Sequence, residues 1–169
     1  EILSDPKNKF SKEAYDDQQE ILRKIDSKIK EIHTAVNSMR SIQKQLNFYI
    51  DILEKQTNKE DDENFYKKTI SMAKNIEVRL KNWEKKLIQP KQKTFQDVIN
   101  FNNKLNAEYI NLKDYIDSSE PEVTSGAKDL FNDLNIKSDA LMKEINQIIS
   151  EDFKSFDKQY KSLELETLL

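Results

Sequence analysis

His33 is the single histidine of the chain, and it heads a polar row. His33, Asn37 and Arg40 are spaced i, i+4 and i+7, which places them on one face of a helix. An imidazole, an amide and a guanidinium in line could contact a ligand or a partner. The same row also reads as a polar network between helices or a surface stripe, and that plainer reading outweighs the first. A Ser-His-Asp triad needs a histidine held between two partners, and no serine or acid is singled out for that role here. A metal centre needs more ligands than one histidine, and neither a His-Glu-x-x-His nor a calcium-loop pattern occurs. Di-iron bundles draw Glu-x-x-His pairs from their helices, whereas Lys30 stands three residues before His33. The absence of cysteine removes disulfides, thiol catalysis and cysteine-ligated zinc. No cofactor and no catalytic residue is expected.

The remaining charged groups have plain explanations. Asp16, Asp17, Asp61 and Asp62 lie in hydrophilic helix starts, where the helix dipole favours negative charge. Gly126 has no phosphate-loop context. Residues 81–93 carry five lysines around Trp83, a cluster able to meet phosphates or an acidic surface. Glu84 and Asp97 flank them and the lysines scatter around the helix, so a solvated face fits better. Basic and acidic residues number 28 and 31, interspersed, with a net charge of −3, which argues against a nucleic-acid partner. Apolar runs are only a few residues long, far short of a membrane span. Phe48, Tyr49, Trp83, Phe95, Phe101 and Tyr109 are expected in the core, and any of them left exposed would mark an interaction patch.

The elements that position these residues read as helices throughout. One glycine and three prolines leave little material for hairpin turns. Hydrophobic residues make up 36% and charged residues 35%, the balance of elongated helices that face water along much of their length. After a lead-in over 1–10, with a turn at Asp5-Pro6, Ser11 is the expected N-cap of a helix reaching about Gln56. Its apolar set steps by three and four through Leu22, Ile25, Ile29, Ile32, Val36, Met39, Leu46, Ile50 and Leu53. That is close to a heptad repeat, on a rod of roughly 65 Å. A polar loop follows, then a second helix from about Asp61 to Ile88 with Tyr66, Ile70, Ala73, Ile76, Leu80, Trp83 and Leu87 inward; Pro90 ends it. A third helix over about 102–117 shows Leu105, Tyr109, Leu112 and Ile116. A fourth, starting at Glu122 to Thr124 and reaching about Ile149, shows Leu130, Leu134, Leu141, Ile145 and either Ile148 or Ile149. Ser150 is expected to cap a last helix carrying Phe153, Phe156 and Tyr160. The expected fold is an all-α antiparallel bundle of four main helices with a long first helix: one domain, with a hairpin over 11–88, a packed linker over 89–103 and a second hairpin and tail over 104–169.

The linker is unusual. It carries Phe95, Val98, Ile99 and Phe101 where a bundle connection would be short and polar. Such a segment is expected to pack on the first two helices with Phe95 and Phe101 as anchors, and Asn37, Asn100, Asn103 and Asn106 are the expected partners of its backbone groups.

Two stretches resemble a known family. HTAVNSMRSIQKQL, His33 to Leu46, resembles the His-x-Ala-(Val/Ile)-Asn-x-(Ile/Met)-Arg helix in the carboxy-terminal part of secreted bacterial BNR-repeat proteins, which are sialidase-like or sortilin-type β-propeller proteins common in Bacteroidetes. IQPKQKTFQDVINFNNKLNAEYINLKDYID resembles that family's Gln-rich stretch leading to Gln-Asp-x-(Ile/Leu)-Asn-(Phe/Tyr)-x-x-(Lys/Arg)-Leu-Asn. The Asn100-Phe101 and Leu105-Asn106 pairs are its most specific part. The lead-in, the EPEVTSGAKDLFNDL helix start and the closing DFKSFDKQYKSLELETLL follow in the family's order. Gln43 and Lys44 depart from more basic family residues, and Asn102-Asn103 stand where proline is frequent. The resemblance implies a non-catalytic helical module cut from a larger extracytoplasmic protein. Its partner would be an upstream β-propeller of the same chain or another protein. The family's glycosyl-hydrolase label belongs to the propeller and to no residue here. The alternative is a coiled-coil adaptor or oligomerisation domain, a homo-oligomer built through the heptad-like stripe. The residues expected to serve structure or interaction are His33, Asn37, Arg40, Trp83, Phe95, Asn100, Phe101, Leu105 and Asn106.

Overall fold

A computed structural model describes residues 10–56, 63–94, 97 and 100–163. The described chain is all-α, without a strand. Helix α1 spans Lys12–Gln56, α2 Glu63–Leu87, α3 Leu105–Ser118 and α4 Ser125–Gln147; a π-helical segment, Ile148–Phe153, leads into α5, Lys154–Lys161. Ser11 caps α1, its Oγ accepting the Ala14 N–H at 3.3 Å. The Glu13 carboxyl in that first turn is held below the usual range by backbone N–H bonding and the Ser11 hydroxyl. Thr124 caps α4 in the same manner, accepting from Ala127 N–H at 3.2 Å. Helix α2 ends at Leu87, ahead of the Gln89-Pro90 step that excludes helical backbone.

The expected stripes are buried almost completely. Leu22, Ile25, Ile32, Val36, Met39, Leu46, Ile50 and Leu53 of α1 are core residues, as are all seven inward positions of α2 and all four of α3. Ile29 is half-buried. Three expectations fail. Ser150 caps nothing, because α4 passes into α5 without a break; the Ser150 Oγ instead donates to the Gln147 carbonyl at 3.4 Å. Leu130 is 44% exposed and Phe48 63% exposed, outside the core to which their apolar character assigned them.

The chain forms two compact units, and these do not follow the sequence-order hairpins. One comprises Glu1–His33 and Ile88–Ser138, the other Thr34–Leu87 and Asp139–Leu169. In the second unit, Arg40 pairs with Glu84 and Lys74 with Glu54, the register of a helical hairpin between α1 and α2. Trp83, fully buried, donates its indole N–H to the Leu141 carbonyl at 2.7 Å. Ion pairs of Lys86 with Glu144 and of Arg79 with Asp152 join α2 to the end of α4 and the π-helical segment. Tyr49 stacks at a tilt against Phe156 and Tyr160, with ring centroids 6.2 and 4.7 Å away. The Tyr160 phenol is pushed above its ordinary pKa by burial and by Tyr49.

Within this unit Leu80 is fully buried. Leu80→Ala is therefore expected to lower unfolding stability by about 2–5 kcal/mol, while exposed Phe48→Ala should stay within roughly 0.5 kcal/mol. Urea titration followed by circular dichroism separates the two.

Candidate functional site

The first unit contains the linker and several polar contacts between elements. Gln18 is a buried amide on α1, and its Nε2 donates to the Ile116 carbonyl at 2.7 Å and to the Ser119 carbonyl at 3.4 Å. The last four carbonyls of a helix have no intrahelical donor, so Gln18 completes the C-terminus of α3 from another helix. The Ser118 hydroxyl donates to the neighbouring Tyr115 carbonyl at 3.3 Å. Lys113 pairs with Asp26 of α1 at 2.7 Å, and that bond is the first cause of its raised pKa. Further along, Tyr109, buried on α3, donates its hydroxyl to Asn135 Oδ1 at 2.9 Å and meets Phe131 edge-on at 6.3 Å.

The residues singled out from sequence scatter among these roles. His33 and Asn37 are exposed. Arg40 binds Glu84 through Nε at 2.8 Å and through its terminal guanidinium nitrogen at 2.6 Å, a bridge between helices. Trp83 is a core residue with a satisfied N–H. Leu105 opens α3 and is buried. Phe95 lies outside the described residues, as do Val98, Ile99, Asp61 and Asp62. Phe101 is half-buried, and its N–H donates to the Asp97 carbonyl at 3.1 Å.

The asparagine expectation needs correction. Asn37, Asn100 and Asn103 are exposed, and Asn106 Oδ1 is sealed from solvent without a hydrogen-bond partner. Backbone groups of the described linker are held by other residues. Asp97 Oδ2 accepts from the Lys93 and Thr94 N–H groups, both at 2.8 Å, and Gln89 Nε2 donates to the Asn102 carbonyl at 3.4 Å. Aspartate is a frequent turn residue because its side chain bonds nearby backbone groups; beside the lysines, the sequence shows Asp97 only as a charge. Of those lysines, Lys81 pairs with Glu77 and Lys86 with Glu144, in keeping with a solvated face.

Concave surfaces lie beside α3 among the described residues of this unit. A polar cleft of about 400 Å³ beside the first turn of α3 is lined by Ile88, Gln89, Gln92, Lys93, Lys104 and Asn106, among others. A larger groove of about 590 Å³ between α3 and α4 has Leu112, Tyr115, Ala127 and Leu130 in its lining. Among the described residues no group of three or more His, Cys, Asp or Glu side chains is placed to hold a metal ion, and no helix is long and apolar enough to cross a membrane. No family model, curated protein or solved structure matches this chain.

Two outcomes follow from this geometry. Gln18→Met keeps the side chain's volume and leaves the Ile116 carbonyl without its donor, which should cost about 1–3 kcal/mol in a chemical denaturation curve. Asp97 accepts two backbone N–H bonds, which lower its pKa, the Lys93 bond first. Because the folded value lies below the unfolded one, this contribution is complete above the ordinary aspartate pKa of about 3.9 and is lost as pH falls through the depressed value. The amide resonances of Lys93 and Thr94 should therefore hold their positions down to about pH 4 and shift together only below it, in an NMR titration.

Proposed function

We propose that this chain is a non-catalytic structural and interaction module, a helical body carried by a larger extracytoplasmic BNR-repeat protein and packed on that protein's β-propeller or on another partner. The observation that carries the reading is the α1 stripe. Eight of its positions, Leu22, Ile25, Ile32, Val36, Met39, Leu46, Ile50 and Leu53, are buried by the rest of the same chain. In a coiled-coil adaptor that stripe would be the seam for a second chain; here it is already covered, so contacts with other molecules fall to the outer faces. Val78, Ile136 and Phe48 are large apolar residues on those faces. The resemblance at His33 to Leu46 and at Asn100 to Asn106 supports the attachment to a propeller. The roles found for Arg40, Trp83 and Leu105 are structural, which supports a body built to hold helices together.

Light scattering on residues 1–169 should give a monomer. With the upstream region of the same gene product attached, hydrogen exchange at segments around Val78, Phe48 or Ile136 should slow. A stable dimer of the isolated chain would favour the oligomerisation domain and sink the module.

A further inference from the structure

We propose that the polar cleft beside the first turn of α3 binds a phosphate monoester of a sugar or similar small polyol. The inference stands apart from the module reading, since it concerns a small ligand and not a partner chain. The charged side chains that line the cleft are Lys93 and Lys104, and among the described residues the lining holds no carboxylate. Neither lysine has an ion-pair partner among the described residues, whereas Lys74, Lys81, Lys86 and Lys113 are all paired. The neighbouring acids are occupied elsewhere. Asp97 Oδ2 accepts the Lys93 and Thr94 N–H groups, and Glu108 lines the α3–α4 groove, where it meets Lys137 at 4.0 Å.

Neutral donors add to that charge. Asn106 Oδ1 is sealed from solvent, which leaves the Nδ2 donor of the same amide for the cleft that Asn106 lines. The residue before α3, Lys104, makes no side-chain cap, and its carbonyl accepts the Glu108 N–H. The Asn106 and Ala107 N–H groups precede that bond and have no partner within the helix, and both residues line the cleft. Two cations, an amide and open backbone donors, with no carboxylate among them, form a setting for an oxyanion.

Charge and volume select the ligand. Two lysines balance a dianion. A phosphate monoester carries about −1.5 to −2 at pH 7, whereas a carboxylate or a phosphodiester carries a single charge. A bare phosphate would leave most of the cleft, about 400 Å³, unfilled. The rest of the lining is mixed. Gln92 and Thr94 can both donate and accept, as hydroxyls require. Ile88, Ala107 and Ile110 supply an apolar wall for the C–H face of a ring. The net charge of −3 on the whole chain works against a long polyanion such as a nucleic acid.

The test is an NMR titration of the whole chain with glucose 6-phosphate, glucuronate, glucose and inorganic phosphate. Glucose 6-phosphate should bind at least about tenfold more tightly than each of the other three, with the Asn106 and Ala107 amides shifting first. Its affinity should fall as salt rises and as pH drops through about 6, where the monoester regains a proton. Lys93→Gln and Lys104→Gln should each weaken it about tenfold. The double variant should bring it to the level of glucose with the circular dichroism spectrum unchanged. Cosedimentation with phosphatidylcholine vesicles carrying phosphatidylinositol 4-phosphate separates the two sources of such an ester: pelleting assigns the site to a lipid headgroup, and no pelleting to a soluble ligand. Equal binding of glucuronate would overturn the phosphate, and equal binding of inorganic phosphate would leave an adventitious ion only. No binding, shifts centred away from Asn106 and Ala107, or indifference to the double variant would overturn the site. The module reading stands or falls by light scattering and hydrogen exchange, whatever these titrations give.

Discussion

One helix of 45 residues, α1, sets the constraint that the rest of the chain has to meet. A helix of that length exposes an apolar stripe along its whole face, and water makes that exposure costly at roughly 25 cal/mol per Å². Helix α2 is tied to it by the Arg40–Glu84 and Glu54–Lys74 pairs, and α3 by Gln18 and the Asp26–Lys113 pair. Gln18, Leu22, Ile25 and Ile32 are buried in one compact unit, and Val36 through Leu53 in the other. The length of α1 is what lets a chain with only 36% hydrophobic residues build a core in each.

Polar contacts then fix what apolar burial leaves free. Hydrophobic contact has no direction and would tolerate a helix slipping along its axis, but a bonded pair would not. Gln18 reaching the end of α3, Tyr109 meeting Asn135, Trp83 meeting Leu141 and Arg40 meeting Glu84 each join one helix to another at a single register. Of these, Gln18 satisfies a carbonyl in the last turn of α3 that has no intrahelical donor. The groups that looked most like chemistry in the sequence are spent largely in this way or lie on the surface. Among the described residues, Phe48, Val78, Tyr115, Leu130 and Ile136 are large apolar side chains left on the surface.

The π-helical segment shows how a helix-stop signal can be overridden. Ser150 followed by Glu151 is a fair N-cap sequence, yet residues 148–153 widen into a π turn and the helix continues. The extra residue in that turn rotates the faces that follow, and Phe156 is buried on the far side of it. Widened turns of this kind occur mostly as single-turn insertions inside α-helices. Asp152, inside the segment, is tied to Arg79 of α2.

Period and spacing alone determined much of this protein. The steps of three and four from Leu22 to Leu53, the Tyr66 to Leu87 stripe and the Leu105 to Ile116 stripe identified the helices and their buried faces, because a 3.6-residue repeat admits one inward side. Ser11 and Pro90 marked ends through chemistry that acts within a few residues. What lay beyond sequence was every contact between residues distant along the chain. Nothing local distinguishes Gln18 from an exposed glutamine, or Phe48 and Leu130 from core residues, since their neighbours are separated from them by tens of residues. The grouping of residues 34–87 with 139–169 was equally invisible, because periodicity says which face a helix buries and not which helix covers it.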